Sequence, residues 1–282
     1  MNMNLVLQGP NASAECLNRL ATLAGAARVV PISAHAVRCE GVAYSDVLKQ
    51  SIEVAADAAK VDATFIEAGR RLADFKLVAM DMDSTLITIE CIDEIADMQG
   101  LKAQVAEITE AAMRGELEFS ESLKRRVALL EGLDAAALER VYTERLAISM
   151  GGEAMLAGVK AAGLKTLLVS GGFTFFTERL KARLGLDYTH ANVLEIVNGK
   201  LTGRVVGGIV DADEKRRTVE RVCADLGIGP EQAIVMGDGA NDLKMMEIAG
   251  LSVAFRAKPV VRARASVALN HTGLDGLLAI LG

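Results

Sequence analysis

The sequence predicts an α/β protein: a doubly wound parallel sheet with an inserted helical cap, preceded by a small α+β module. Three observations predict it. Short apolar runs at 77–80, 166–169, 233–236 and 251–255 alternate with stretches of helical period, as strands buried on both faces and joined by crossover helices would read. A helical block at about 89–150 separates the first two runs and is too long for a simple crossover. Residues 1–75 follow a different order, β-α-β-β-α-β, which fits a ferredoxin-like unit.

The elements justify themselves in turn. "LVLQG" reads as a strand, and "SAECLNRLATLAG" as a helix entered through Ser13 and stopped at Gly25. "ARVVPISAHAVRCEG" has β-branched and alternating positions, "SDVLKQSIEVAADAAK" has helical period, and "DATFIEAG" closes the module as a strand. The remaining residues, 76–282, form the larger domain. In its inserted block Gly100, Gly115 and Gly132 punctuate helices, and Asp134 is placed to cap another. In "LEIVNGKLTGRVVG", Asn198–Gly199 between β-rich arms predicts a type I′ hairpin.

Composition narrows the function classes. The chain has 282 residues, 51% hydrophobic and 24% charged, with a net charge of −6. That balance is globular, and the acidic excess argues against nucleic acid, which rewards a basic surface. No apolar stretch is long enough to span a bilayer, so no membrane partner is expected. "MNMNLVLQGPNASAE" lacks a basic segment followed by an apolar one, so the expected location is cytoplasmic. Cys16, Cys39, Cys91 and Cys223 are scattered without a CxxC pair and read as reduced thiols. His35, His190 and His271 stand singly and suggest no histidine metal cluster, and the basic run "RAKPVVRARA" at 256–265 reads as a solvated edge.

The chemistry starts in "KLVAMDMDSTLITIE", where an apolar run ends in Asp81 and Asp83. An i, i+2 spacing on a strand points both carboxylates the same way. Crowded carboxylates repel unless a cation or a shared proton offsets the repulsion. Ser170, Gly171 and Gly172 follow the second run; Asp238, Asn241 and Asp242 follow the third among Gly237 and Gly239; Lys215 starts a helix between them. Ligands of open α/β sheets bind beyond the carboxyl ends of the strands, so one crevice collects Asp81, Asp83, Ser170, Lys215, Asp238 and Asp242. Acidic oxygen ligands suit Mg²⁺, while hydroxyl, backbone N–H and lysine suit phosphate oxygens. One aspartate is then placed to attack a phosphate and the other to move a proton.

"DMDST", "VSGGF", Lys215 and "GDGANDL" resemble, in order, the four motifs of the haloacid-dehalogenase-like phosphohydrolases, over about residues 76 to 270. "TIECIDEIA", "GELEFSESLKRRVALL" and "VSGGFTFF" resemble the branch acting on phosphoserine. The resemblance implies an Mg²⁺-dependent phosphatase taking a small phosphate ester, O-phospho-L-serine, through an aspartyl phosphate in the last step of serine biosynthesis. It implies Asp81 as nucleophile and Asp83 as general acid/base, the latter also offering its main-chain carbonyl to the metal. Ser170, Gly171 and Lys215 would hold the phosphoryl group. Asp81 and Asp238 would bind the metal with Asp242 in support, and Asn241 would order the substrate loop. In the cap, Glu90 would meet the substrate ammonium, Arg126 its carboxylate, and Phe119 would close the pocket.

Residue chemistry supports a cap arginine, which grips a carboxylate bidentately. Arg125 and Arg126, adjacent on a helix, point apart so that only one faces the pocket, and the resemblance selects Arg126. Asp93 and Glu94 are rivals to Glu90. Phosphoryl transfer to an acceptor alcohol is the enzymatic alternative. A receiver-type aspartate switch would need neither the cap nor the second acid, and a nucleotide-binding reading of "GDGAND" lacks GxGxxG. The N-terminal extension distantly resembles ligand-binding ACT-like modules; packing, homodimer formation or serine sensing are its expected roles.

Overall fold

The computed structural model describes residues 3–114 and 116–282; Gly115, one of the three cap glycines, lies outside them. The first elements are β1 (Met3–Gln8), α1 (Ala14–Leu23), β2 (Arg28–Ser33), β3 (Ala36–Val42), α2 (Asp46–Ala58) and β4 (Asp62–Glu67). Ser13 and Ser45 cap the two helices through their hydroxyls. The strands form an antiparallel sheet of order β2-β3-β1-β4. Leu5 and Leu7 share one apolar cluster with Leu17, Leu20 and Ile52, so both helices cover one face. Val6, on the other face, joins the core of the larger body together with Ile66.

That body begins with β5 (Leu77–Met80), followed by α3 (Cys91–Asp97), α4 (Lys102–Met113), α5 (Phe119–Ala128), α6 (Ala136–Glu144) and α7 (Gly152–Ala161). Then come β6 (Lys165–Phe173), α8 (Thr174–Leu184), β7 (Tyr188–Val197), β8 (Lys200–Val206), α9 (Ala212–Asp225), β9 (Ala233–Gly237) and α10 (Leu243–Glu247). β10 (Leu251–Phe255), α11 (Pro259–Arg262), β11 (Val267–Leu269) and α12 (Gly276–Leu281) complete it. Among the described residues the second sheet has the order β11-β10-β9-β5-β6-β7-β8, parallel throughout except for β8. Alternate residues feed opposite layers: Val78, Met80, Leu168, Ile234 and Met236 join one core cluster, and Leu77, Ala79, Leu167, Val169, Ala233 and Val235 the other. The continuous apolar runs of the sequence follow from this two-sided burial. From β5 the chain winds through β6 and β7 in one direction, then returns to place β9, β10 and β11 on the other side. The switch point therefore lies between β5 and β9, where loops diverge and leave a crevice.

The helices α3–α6 form the insertion. The chain leaves and re-enters the body side by side: Ile87 bridges Ile148, with Thr88 N–H donating to Ala147 O and Ser149 N–H to Leu86 O. The β7–β8 hairpin turns at Asn198 and Gly199, both with positive φ, as a type I′ turn requires. Its tip holds the cap through three 2.8 Å backbone bonds, Gly132 N–H to Leu201 O, Leu201 N–H to Leu133 O, and Ala135 N–H to Gly199 O.

Two local expectations need correction. β6 does not stop at 169 but runs on to Phe173, with its register against β7 shifted between Val169 and Phe173. Asp134 caps α6 from two residues before its start, accepting from Ala136 N–H at 2.8 Å; Ala135 occupies the boundary position. All four cysteines are free thiols. Among the described residues no helix is long and apolar enough to cross a membrane.

Candidate active site

β5 delivers Asp81 to the switch point. Its N–H still donates to Met236 O at 3.0 Å, so the sheet fixes its backbone, and only 5% of the residue is exposed. Asp83 arrives differently from the strand alternation expected of it. The strand ends at Met80, and the chain turns through Met82–Leu86 with Ser84 in the left-handed region at φ +56°. A turn, rather than a shared strand face, brings Asp83 into the same cavity as Asp81.

Lys215 lies one turn into α9, whose first turn is capped by Asp211 accepting from Glu214 N–H. Its ammonium is fully buried and donates to Asp81 Oδ1 at 2.7 Å and Asp242 Oδ1 at 2.8 Å. The other Asp242 oxygen accepts from Gly239 N–H at 3.1 Å, so Asp242 braces the loop from behind. Asp238 Oδ1 accepts from the Thr85 hydroxyl at 3.1 Å. Asp81, Asp238 and Asp242 each offer an oxygen, all within 4.8 Å of one another.

The electrostatics are those of a negatively charged cluster with one buried cation. Burial pushes Asp81 well above the usual carboxylate range against the pull of Lys215, and Asp242 and Asp238 push the same way. Asp238 is raised to about 6 by burial and by Asp242. Asp83 is raised to about 8 by burial and by the charge of Glu90. Burial opposes the charge on Lys215, yet Asp242 and Asp81 outweigh it and hold the ammonium protonated. A small divalent cation fits this oxygen-only donor set, because it would offset the repulsion that one lysine leaves uncompensated.

β6 supplies the anion side. Ser170 is buried and its Oγ accepts from Gly172 N–H at 2.8 Å. A Cβ on Gly171 would lie 3.1 Å from the Phe119 ring, and one on Gly172 would lie 3.0 Å from both Asp83 Oδ2 and Ser170 Oγ. The glycines thus permit the cap aromatic and the second aspartate to approach the backbone closely.

A cavity of about 490 Å³ joins these groups to the cap. Phe119 opens α5, and Arg126 follows two turns later on the same face, half-buried. Arg125 faces outward and pairs with Glu121 at 2.7 Å. Arg126 makes no ion pair among the described residues; its Nε reaches only Ser122 O at 3.4 Å. Glu90, at the entrance of α3, lines the same cavity and accepts from the Ser84 hydroxyl at 2.7 Å. Of its rivals, Glu94 is bound to Arg145 at 2.6 Å and Asp93 does not line the cavity. Asn241 lines it from the turn after β9.

The structure therefore brings together every site residue expected from sequence, and adds others. Thr85 and Ser84 position Asp238 and Glu90; the second half of "DMDST" signals them only through the motif. The run 256–265 is largely exposed, as its reading as a solvated edge expects, but Lys258 within it also lines the cavity, and its N–H donates to Asp238 O at 3.1 Å. β10 ends beside β9, so α11 starts next to the Asp238 loop; no local pattern carries that information.

Comparison with known proteins agrees with this geometry. Residues 78–247 match the family model of haloacid dehalogenase-like hydrolases, and residues 5–47 match a domain of unknown function. A phosphoserine phosphatase of Polaromonas sp. strain JS666 is 58% identical over 216 residues, covering 75% of this chain and 92% of that protein. The structure of a haloacid-dehalogenase-family hydrolase from Salmonella enterica serovar Typhi superposes with a TM-score of 0.90 at 32% identity, covering 100% of this chain and 99% of the other. A probable phosphoserine phosphatase from Vibrio cholerae, in unliganded form, superposes with a TM-score of 0.84 at 35% identity, covering 99% and 86%. With the motifs converged on one switch-point crevice and more than half of the chain matched, this protein belongs to the haloacid dehalogenase-like hydrolases.

Proposed function

We propose that the chain hydrolyses O-phospho-L-serine to L-serine and phosphate through an aspartyl phosphate on Asp81. The observation that carries this reading is the presence of both an unbridged, half-buried Arg126 guanidinium and the Glu90 carboxylate in the cavity that holds Asp81. An amino-acid phosphate has three charged groups. Arg126 suits the carboxylate, Glu90 the ammonium, and Ser170, Gly171 and Lys215 the phosphoryl oxygens. Phe119, against Gly171, closes the space between them and keeps water out.

Asp81 attacks phosphorus, and the bond to the serine oxygen breaks. Asp83, raised to about 8, carries a proton near neutral pH and delivers it to the departing alkoxide. Having lost that proton, Asp83 accepts one from the water that then opens the acyl phosphate, freeing Asp81. Lys215, 2.7 Å away, draws the attacking carboxylate toward its ionised form against the burial that raises it. Asp81, Asp238 and the main-chain carbonyl of Asp83 would hold Mg²⁺ with Asp242 in support, and the cation would neutralise charge on the phosphoryl oxygens. We place this activity in the cytoplasm as the last step of serine biosynthesis, and assign residues 1–75 to packing and dimer formation.

The test is phosphate release from L-phosphoserine, phosphoethanolamine and a generic aryl phosphate, each with Mg²⁺ and with EDTA. Mg²⁺-dependent preference for phosphoserine is expected, with phosphoethanolamine poor because it lacks the carboxylate. Equal turnover of all three would remove the amino-acid pocket and leave a general phosphatase.

A further inference from the structure

We infer that Asn192 is a positioning residue that aligns both halves of the phosphate cradle. It sits on β7, 1% exposed, and both ends of its amide are engaged. Nδ2 donates to Gly171 O at 2.7 Å, and Oδ1 accepts from Val210 N–H at 2.8 Å. One partner is a carbonyl and the other an N–H, so only one orientation of the amide satisfies both.

The need for such a residue arises in the sheet. The β6–β7 register shifts between Val169 and Phe173, and Phe173 stands opposite Asn192. The shift takes the Gly171 carbonyl out of the ladder, and a buried carbonyl without a partner is costly. Asn192 supplies the partner and thereby fixes the plane of the Gly171–Gly172 peptide. The N–H of that same peptide donates to Ser170 Oγ at 2.8 Å. A hydroxyl has one proton to give and two lone pairs to receive with. With Gly172 N–H on one lone pair and no acceptor among the described residues, the Ser170 proton is left for a phosphoryl oxygen. At its other end Asn192 holds Val210, next to Asp211, which caps the helix carrying Lys215. One side chain thus sets the Ser170 hydroxyl and the start of the lysine helix.

This inference rests on the phosphate-holding role given to Ser170 above, and a double-mutant cycle tests it: wild type, Asn192→Ala, Ser170→Ala and the pair, on the full chain with Mg²⁺. Inorganic phosphate affinity is read by calorimetry, which needs no turnover, beside KM and kcat on an aryl phosphate. Asn192→Ala should weaken phosphate and raise KM by roughly tenfold, the worth of one oriented hydrogen bond. Once Asn192 is gone, Ser170→Ala should add little. Asn192→Asp keeps the acceptor for Val210 N–H but loses the donor to Gly171 O, and should show the same Ser170 coupling if the peptide plane is what matters. Additive losses, or a lowered melting temperature with unchanged phosphate affinity in both variants, would reduce Asn192 to a bulge-filling group. Phosphate bound normally without ester hydrolysis would instead count against the proposed activity and leave this inference to the binding data.

Discussion

At the residue scale, the cluster around Asp81 makes the sharpest demands. Asp81→Asn should fold normally and show no turnover above background; a purified, folded variant with retained activity would remove the nucleophile assignment. Gly172→Ala places a methyl 2.8 Å from Met82 Cε and 3.0 Å from Asp83 Oδ2. Such overpacking costs about 1–3 kcal/mol, and here it displaces the proton donor, so kcat should fall more than KM rises. Steady-state kinetics beside a thermal melt separates the two effects. The raised carboxyls give a pH signature in the metal-free protein. Folding favours the neutral form of Asp83, raised to about 8, and of Asp238, raised to about 6, whereas both ionise near 3.8 when unfolded. They cost nothing below that value, and the penalty grows with pH until each folded pKa is passed. Denaturant unfolding of wild type and Asp83→Asn in EDTA should therefore show the variant gaining relative stability from about pH 4 to about pH 8. A difference independent of pH would sink the assignment.

At the element scale, α5 decides specificity. Its periodicity predicts a helix, and neighbouring helical residues point apart, but only packing shows that Arg125 pairs with Glu121 outside while Arg126 faces the cavity. Arg126→Ala should raise KM for phosphoserine roughly 10- to 100-fold, the worth of a charge-assisted hydrogen bond, with little effect on an aryl phosphate. Arg126→Lys should recover only part, because an ammonium cannot grip a carboxylate with two parallel bonds. Equal losses on both substrates would make the arginine structural. The strands were legible because burial on both faces writes unbroken apolar runs. The extension of β6 through Ser170–Phe173 was not, since two glycines read locally as a turn and only the partner strand β7 shows the ladder continuing beyond a shift.

At the scale of the whole molecule, the seam between the N-terminal sheet and the body depends on one buried carboxylate. Asp62, 3% exposed, accepts from the N–H groups of Asn270, His271 and Thr272 and from the Thr272 hydroxyl. Gln8 and Arg38 add bonds to carbonyls of α12 and the C-terminal residues. Asp62→Ala would strand several buried donors and should cost on the order of 3 kcal/mol, read as a lower melting temperature. Activity measured well below that temperature should change little, because Asp62 lies outside the catalytic cavity. An unchanged melting temperature would mean that the seam adds nothing to stability.

The sequence by itself determined the four apolar runs of the parallel sheet, the cap insertion, the Asn198–Gly199 turn and the order of the four motifs, because apolar runs, helical period and turn chemistry are written in neighbouring residues. The extension of β6 to Phe173 and the short β11 were not among them. Only the tertiary structure decided what meets at the switch point. Lys215 reaches Asp81 across 134 positions and Thr85 reaches Asp238 across 153, while Lys258 enters from a run that reads as solvated surface. Asn192 and Asp62 have no motif at all. Their roles come from carbonyl and N–H groups that the fold buries without partners, a debt that appears only once distant strands and loops are packed together.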